Sequence, residues 1–207
     1  PRLRPERSIG FDGGFDQSWW KQRARISATY FYTRLEDVIL FAESISPDDP
    51  FGRFLGYMNS KGGLSRGVEM SARLSPTASL DLTGSYTYVN AIERTPIVGD
   101  VLRSFLFPYH QVAVVAAQRI GPRLLVSAEV IAASSYPGEI FGDFATAAML
   151  FPGMKRIDVG ASYRIPLSES RAVRLFAKGS NLLDQNYFES GYRTPGITGI
   201  GGVQFEF

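Results

Sequence analysis

The chain has 207 residues, 44% of them apolar, and a net charge of +2 with no cysteine. The small charge gives no electrostatic reason to expect nucleic-acid binding, and thiolate chemistry is excluded. The longest uninterrupted apolar run, 112–117, is far shorter than the ~20 residues that a membrane-spanning helix requires. If the chain crosses a membrane, it must do so as a β-barrel, the other architecture that satisfies every backbone group there.

Apolar and polar residues alternate along nine segments, which predicts nine β-strands because successive strand side chains point to opposite faces. The last strand illustrates the pattern: Val203, Phe205 and Phe207 fall on one face, while Gln204 and Glu206 fall on the other. The predicted strands cover residues 6–17, 23–41, 57–74, 79–90, 107–119, 123–133, 155–165, 171–182 and 197–207.

The connections between these strands alternate in length. Short connections lie at 18–22, 75–78, 120–122 and 166–170, and long ones at 43–56, 91–106, 134–154 and 183–196. Short periplasmic turns alternating with long extracellular loops are typical of outer-membrane barrels, whereas a soluble β-sandwich has no reason to alternate them. Counting strands then places Phe207 at the periplasmic rim.

Nine is an odd number, and bacterial single-chain barrels have even numbers of strands. Several predicted strands are also longer than the roughly 9 to 11 residues needed to cross a bilayer. The chain begins at Pro1, without a methionine or a signal peptide. We therefore expect the C-terminal part of a larger all-β, antiparallel transmembrane barrel.

Four segments carry a more specific pattern. They read PERSIGFDGGFDQ at 5–17, NSKGGLSRGVE at 59–69, LTGSYTYVN at 82–90, and GSNLLDQNY at 179–187 followed by GYRTPG at 191–196. Together with the terminal Phe205-Glu206-Phe207, they resemble the TonB-dependent outer-membrane receptors over essentially the whole chain. The sequence departs from that family at Ile197, where arginine is usual, and at the flexible pair Gly201-Gly202.

The resemblance implies that residues 1–207 are the C-terminal portion of a barrel of about 22 strands with a plugged lumen. It implies a receptor that binds a scarce nutrient, such as a ferric siderophore or cobalamin, and imports it with TonB-derived energy. The plug domain and the TonB box are not among these residues. No covalent chemistry, catalytic residue, metal site or cofactor is expected.

Aromatic residues in the long loops or at their edges are the candidate ligand contacts, because loop aromatics suit flat ligands. The same side chains could instead pack the loops together. Asn181 and Asp184 are interpreted as turn-forming residues that close the eighth strand. The candidate contacts are Phe51, Phe54, Tyr136, Phe141, Phe144, Tyr187 and Tyr192.

Val203, Phe205 and Phe207 match the C-terminal signal that the barrel-insertion machinery reads in outer-membrane barrels. The other partners implied by the resemblance are outer-membrane lipid, the plug domain, the remaining barrel strands and the TonB complex. The extracellular ligand is left open.

Three other functions remain open at this point. A passive porin would have an open lumen and no plug. An outer-membrane hydrolase would need a nucleophile and a base near His110, the only histidine, whose neighbours Asp100 and Ser104 form no nucleophile motif. A structural subunit of a multi-chain barrel complex would agree with the odd number of strands.

Overall fold

The computed structural model describes residues 3–43, 55–93, 107–141, 146–189 and 192–207. These residues form strands and turns, and no helix among them is long and apolar enough to cross a membrane. The strands are β1 Arg7–Trp19, β2 Ala24–Glu43, β3 Leu55–Lys61, β4 Gly63–Leu74, β5 Leu80–Glu93, β6 His110–Ile120, β7 Leu124–Ala133, β8 Tyr136–Phe141, β9 Thr146–Phe151, β10 Met154–Pro166, β11 Ala172–Ser180, β12 Phe188–Glu189, β13 Tyr192–Arg193 and β14 Thr198–Glu206.

The main sheet is open and antiparallel, with the order β1-β2-β4-β5-β6-β7-β10-β11-β14 and β3 pairing with β2. This order confirms the predicted antiparallel barrel segment, since each strand of the path pairs with its neighbour. The predicted strand over 57–74 is present but interrupted at Gly62: β3 and β4 pair with β2 in one register, with Lys61 opposite Asp37 and Leu64 opposite Arg34. A Cβ at Gly62 would overlap the main chain of Leu35, so this close approach requires glycine.

Two hairpins escaped the sequence analysis. Strands β8 and β9 pair from Tyr136 opposite Phe151 to Phe141 opposite Thr146. Strands β12 and β13 form a second, two-residue ladder. Both hairpins lie in connections predicted as long loops, at the end of the sheet that we call the long-loop end; the opposite end, with the tight turns, is the short-turn end.

The strand register divides the main sheet into two faces. Phe11 stands opposite Tyr32, and Tyr86 stands opposite Val112, so these side chains share one face, which we call the apolar face. The opposite face, which we call the charged face, carries many of the acids and bases of the strands. Its ion pairs include Arg25–Asp16, Arg164–Glu206 and Lys178–Asp158.

Aromatic residues of the apolar face form two rows. The row nearer the long-loop end contains Phe11 and Tyr32, whose ring centroids are 5.2 Å apart, and Tyr88 and His110, 5.1 Å apart. His110 belongs to this row, and its Nδ1 lies 2.8 Å from the Tyr86 hydroxyl. The row at the short-turn end consists of the exposed side chains of Trp19, Trp20, Tyr163, Phe205 and Phe207.

Glycines on the charged face make room for aromatic rings. Phe31 stands opposite Gly67 and Phe176 stands opposite Gly202 in the register. A Cβ at Gly67 would lie 2.7 Å from the Phe31 ring, and one at Gly202 would lie 2.6 Å from the Phe176 ring. Gly202, a departure from the family pattern, therefore accommodates a ring that covers the adjacent strand.

Candidate functional site

The most enclosed part of the described chain lies at the long-loop end of β10 and β11. Phe151, Tyr187, Asp158 and Asn181 are all buried there, whereas nearly all residues of the main sheet are exposed or only half-buried. The Phe151 ring contacts those of Tyr136 and Phe188, with centroids 5.4 and 5.3 Å away. This aromatic cluster joins the β8–β9 hairpin to the 181–196 connection.

Asp158 is the anchor of this region, with 2% of its surface exposed. Arg156 binds it through Nε at 2.8 Å and Nη2 at 2.7 Å, Lys178 lies 3.1 Å away, and the Asn181 backbone N–H donates to it at 3.0 Å. A buried carboxylate is tolerated only when such donors compensate for its lost hydration. Asp158 therefore fixes the start of the 181–196 connection to the wall of the sheet.

Asn181 closes that connection from within. Its side-chain amide donates to the carbonyls of Gln185 at 3.0 Å and Pro195 at 3.1 Å, and its Oδ1 accepts from the Gln185 N–H at 3.2 Å. Asn181 and Asp184 both have positive φ, 54° and 51°, a conformation that asparagine and aspartate tolerate better than most residues. The geometry agrees with the turn-forming interpretation of this pair.

A cavity of about 380 Å³ opens beside the aromatic cluster. Gln111, Ile131 and Met154 line it from the long-loop ends of β6, β7 and β10, and their register places them on the charged face. Phe188 and Glu189 line it from the 181–196 connection. Its surface is mainly apolar, with one carboxylate and one amide, a composition that suits an organic ligand with a polar group.

Tyr136 also lines this cavity, and its hydroxyl donates to the Phe188 carbonyl at 2.7 Å. Burial and the nearby Glu189 carboxylate raise the pKa of Tyr136, so its phenol remains a neutral donor at physiological pH. The hydrogen bond therefore ties β8 to β12 across the mouth of the cavity.

The predicted aromatic contacts occupy different environments. Tyr136 lines the cavity, Tyr187 is only 3% exposed and its hydroxyl accepts from Arg156 at 3.4 Å, and Tyr192 is 80% exposed. Phe141 ends β8. Phe51, Phe54 and Phe144 lie outside the described residues, so a role in ligand contact stays a prediction for the whole set.

The sequence analysis missed Gln111, Met154 and Glu189 as lining residues. Gln111 and Met154 are the first charged-face positions of their strands at the long-loop end. Strand parity alone identifies both positions, but the sequence analysis considered only aromatic residues of the long loops as ligand contacts. Glu189 had no such signal, because the contacts of its neighbour Phe188 with Tyr136 and Phe151, which are distant in the sequence, place it at the cavity.

His110 and the acidic residues are the candidates for catalysis or metal binding. Within the described part of the chain, no group of three histidine, cysteine or carboxylate residues could hold a metal ion. Asp100 and Ser104, the residues considered as partners of His110, lie outside the described residues.

Solved structures with the same fold include several outer-membrane proteins. FpvA of P. aeruginosa, solved with a pyoverdine–iron complex, has a TM-score of 0.77 and 13% identity, over 99% of this chain and 28% of that one. The ferric-catecholate import receptor Fiu from E. coli K12 has a TM-score of 0.72 and 19% identity, over 99% and 28%. The copper transporter OprC has a TM-score of 0.71 and 16% identity, over 100% and 32%.

These likenesses show the fold, and the chain spans roughly a third or less of each of those proteins. No curated protein matches the chain. The family model described as "TonB dependent receptor-like, beta-barrel" matches residues 1–182, which is most of the sequence. The chain belongs to the TonB-dependent receptor-like β-barrel family.

Proposed function

We propose that this chain is the C-terminal portion, residues 1–207, of an outer-membrane receptor that imports a scarce nutrient with TonB-derived energy. The observation that carries the proposal is the family match over residues 1–182. The named functions of FpvA and Fiu favour an iron chelate such as a siderophore as the nutrient. The plug domain, the remaining barrel strands and the TonB complex are the partners that this function requires.

The two aromatic rows support a position across a bilayer. In β1, Phe11 belongs to the row nearer the long-loop end and Trp19 to the row at the short-turn end. They are eight residues apart, which is about 27 Å along a strand. With a strand tilt of about 40°, the rows are about 21 Å apart along the membrane normal, close to the ~25 Å apolar band of outer-membrane barrels. In this orientation the apolar face contacts lipid and the charged face lines the lumen.

The long-loop end is then extracellular, and the cavity beside Tyr136 faces arriving ligand. Phe188 and Tyr136 offer aromatic surface, and Gln111 and Glu189 offer polar groups to a chelate. The most exposed predicted contact, Tyr192, extends this surface. At the other end, Val203, Phe205 and Phe207 on the rim strand serve as the signal for the barrel-insertion machinery.

The experiment measures radio-iron uptake by cells that carry the full-length receptor as their only route for a chosen chelate. Iron-loaded catecholate and hydroxamate siderophores are supplied separately, with and without a protonophore. The expected result is saturable uptake of one chelate class that the protonophore abolishes while surface binding persists. Non-saturable uptake insensitive to the protonophore would overturn the proposal in favour of a passive porin.

A variant pair tests the ligand surface. Tyr192→Ala in the full-length receptor is expected to weaken chelate binding about fivefold, because a ring-stacking contact contributes on the order of 1 kcal/mol. Tyr163→Leu is the matched control, since Tyr163 lies on the apolar face at the short-turn end. Equal affinities for the two variants would remove Tyr192 from the proposed surface.

A further inference from the structure

A second cavity, of about 170 Å³, opens at the short-turn end between the β6–β7 turn and strands β10 and β11. Four arginines and one serine supply the polar side chains of its lining, and the other lining residues are apolar or glycine. The residues that carry these groups are Arg119, Arg123, Ser162, Arg164 and Arg174. The register places Arg119, Ser162, Arg164 and Arg174 on the charged face.

The two carboxylates near the cavity, those of Glu206 and Asp81, each already interact with two arginines. Glu206 accepts from Arg164 at 2.8 Å through one oxygen and from Arg174 at 2.6 Å through the other. Asp81 lies 3.7 Å from Arg119 and 3.7 Å from Arg73, too far for a strong hydrogen bond to either. Each carboxylate therefore divides its charge between two guanidinium groups.

Arg123 adds a further positive charge at the turn. Its side chain is exposed and forms no ion pair or hydrogen bond with the other described residues. In the described part of the chain, four arginines in or beside the cavity thus share only two carboxylates, Asp81 and Glu206, and Arg123 pairs with neither. Elsewhere on this face the pairing is closer, as between Arg25 and Asp16.

Clustered guanidinium groups repel one another, and this repulsion is relieved by an anion that several of them can bind. Their planar, fixed donors match the oxygens of carboxylate and phosphate groups. The Ser162 hydroxyl supplies a neutral donor to the same space.

We propose that this cavity is an anion-binding site that takes one carboxylate or phosphate group. The group can arrive from two sources: a free anion in solution, or an acidic side chain supplied by another part of the receptor. The proposal does not depend on which nutrient the receptor imports.

The test uses the full-length receptor purified in detergent at low ionic strength. Inorganic phosphate is titrated by calorimetry, and the melting temperature is measured with and without phosphate. Arg123→Gln removes the unpaired guanidinium without disturbing Glu206. Arg66→Gln is the control for the loss of a positive charge away from the cavity, because Arg66 is also exposed without a described partner but lies on the apolar face, opposite Tyr32.

For a free anion, saturable phosphate binding to the wild type is expected to weaken about tenfold or more in Arg123→Gln and to be unchanged in Arg66→Gln. For an internal acidic side chain, phosphate does not bind, and Arg123→Gln alone lowers the melting temperature in the absence of phosphate. The proposal is overturned if phosphate does not bind and the two variants have the same melting temperature. It is also overturned if both variants weaken phosphate binding equally.

Discussion

Removing the Asp158 charge should release the 181–196 connection from the wall of the sheet. In Asp158→Asn the side chain keeps its size but loses its charge, and its amide group then faces the guanidinium of Arg156 and the ammonium of Lys178. Breaking a buried ion pair from one side typically costs about 3–5 kcal/mol. Arg156 and Lys178 retain side-chain exposures of 26% and 45%, so they regain some hydration and we expect a value near the lower limit, about 3 kcal/mol.

Hydrogen–deuterium exchange in the full-length receptor measures this local opening. Three amides report on the connection because each donates a hydrogen bond there: those of Asn181, Gln185 and Thr194. A loss of about 3 kcal/mol corresponds to exchange faster by about two orders of magnitude when opening is in rapid equilibrium. Amides in the middle of β11 should keep their rates, because the barrel ladder does not depend on this carboxylate.

Asp16→Asn provides the matched control. Asp16 also pairs with an arginine on the charged face, yet its side chain is 46% exposed, and exposed pairs contribute little. We expect no change at the 181–196 amides. Less than a threefold change in Asp158→Asn, or equal changes in the two variants, would refute the view that Asp158 anchors this connection.

Three further predictions concern particular contacts. Asn181→Ala removes three side-chain hydrogen bonds and should destabilise the same connection by about 2 kcal/mol, visible as faster exchange with an intact barrel. The Cβ of Gly67→Ala would overlap a neighbouring main-chain carbonyl, whereas the Cβ of Gly202→Ala meets only a ring that can turn aside. Gly67→Ala should therefore reduce the yield of heat-modifiable, folded barrel far more than Gly202→Ala. Gly84→Ala, whose Cβ makes ordinary contacts, should fold normally. Tyr136→Phe removes the hydrogen bond to the Phe188 carbonyl and should weaken the attachment of β8 to β12 by about 1 kcal/mol. The measurement is chelate binding by the full-length receptor, which should be weaker in the variant.

The strands of the main sheet were predictable because each separates two different environments. Alternation with a period of two is enforced along β5, for example, where Tyr86 and Tyr88 share one face and Thr87 the other. The β8–β9 hairpin lacks that constraint, since its Phe151 is buried against Tyr136 and Phe188 and belongs to neither face of the main sheet. Its strands therefore carry no readable alternation.

The candidate site was predictable only in part, because it depends on contacts between distant segments. Asn181 and Asp184 were identified as turn formers from residue type alone, a local property. The burial of Asp158 depends on Arg156 from the same strand but also on Lys178 and Asn181 from the next one. Alternation along 155–165 predicts that Asp158 shares a face with other polar residues, but it does not indicate that Asp158 is buried while acids such as Asp16 are exposed.

The double attachment of Asn181 to Gln185 and Pro195 has a consequence for ligand affinity. A connection held at both of its ends by one side chain has already lost much of the freedom that an open loop of the same length would keep. A ligand that contacts this connection then orders fewer residues on binding, and ordering each of them would cost about 1–2 kcal/mol of backbone entropy. If the proposed ligand surface includes this connection, the Asn181 side chain raises its affinity without touching the ligand.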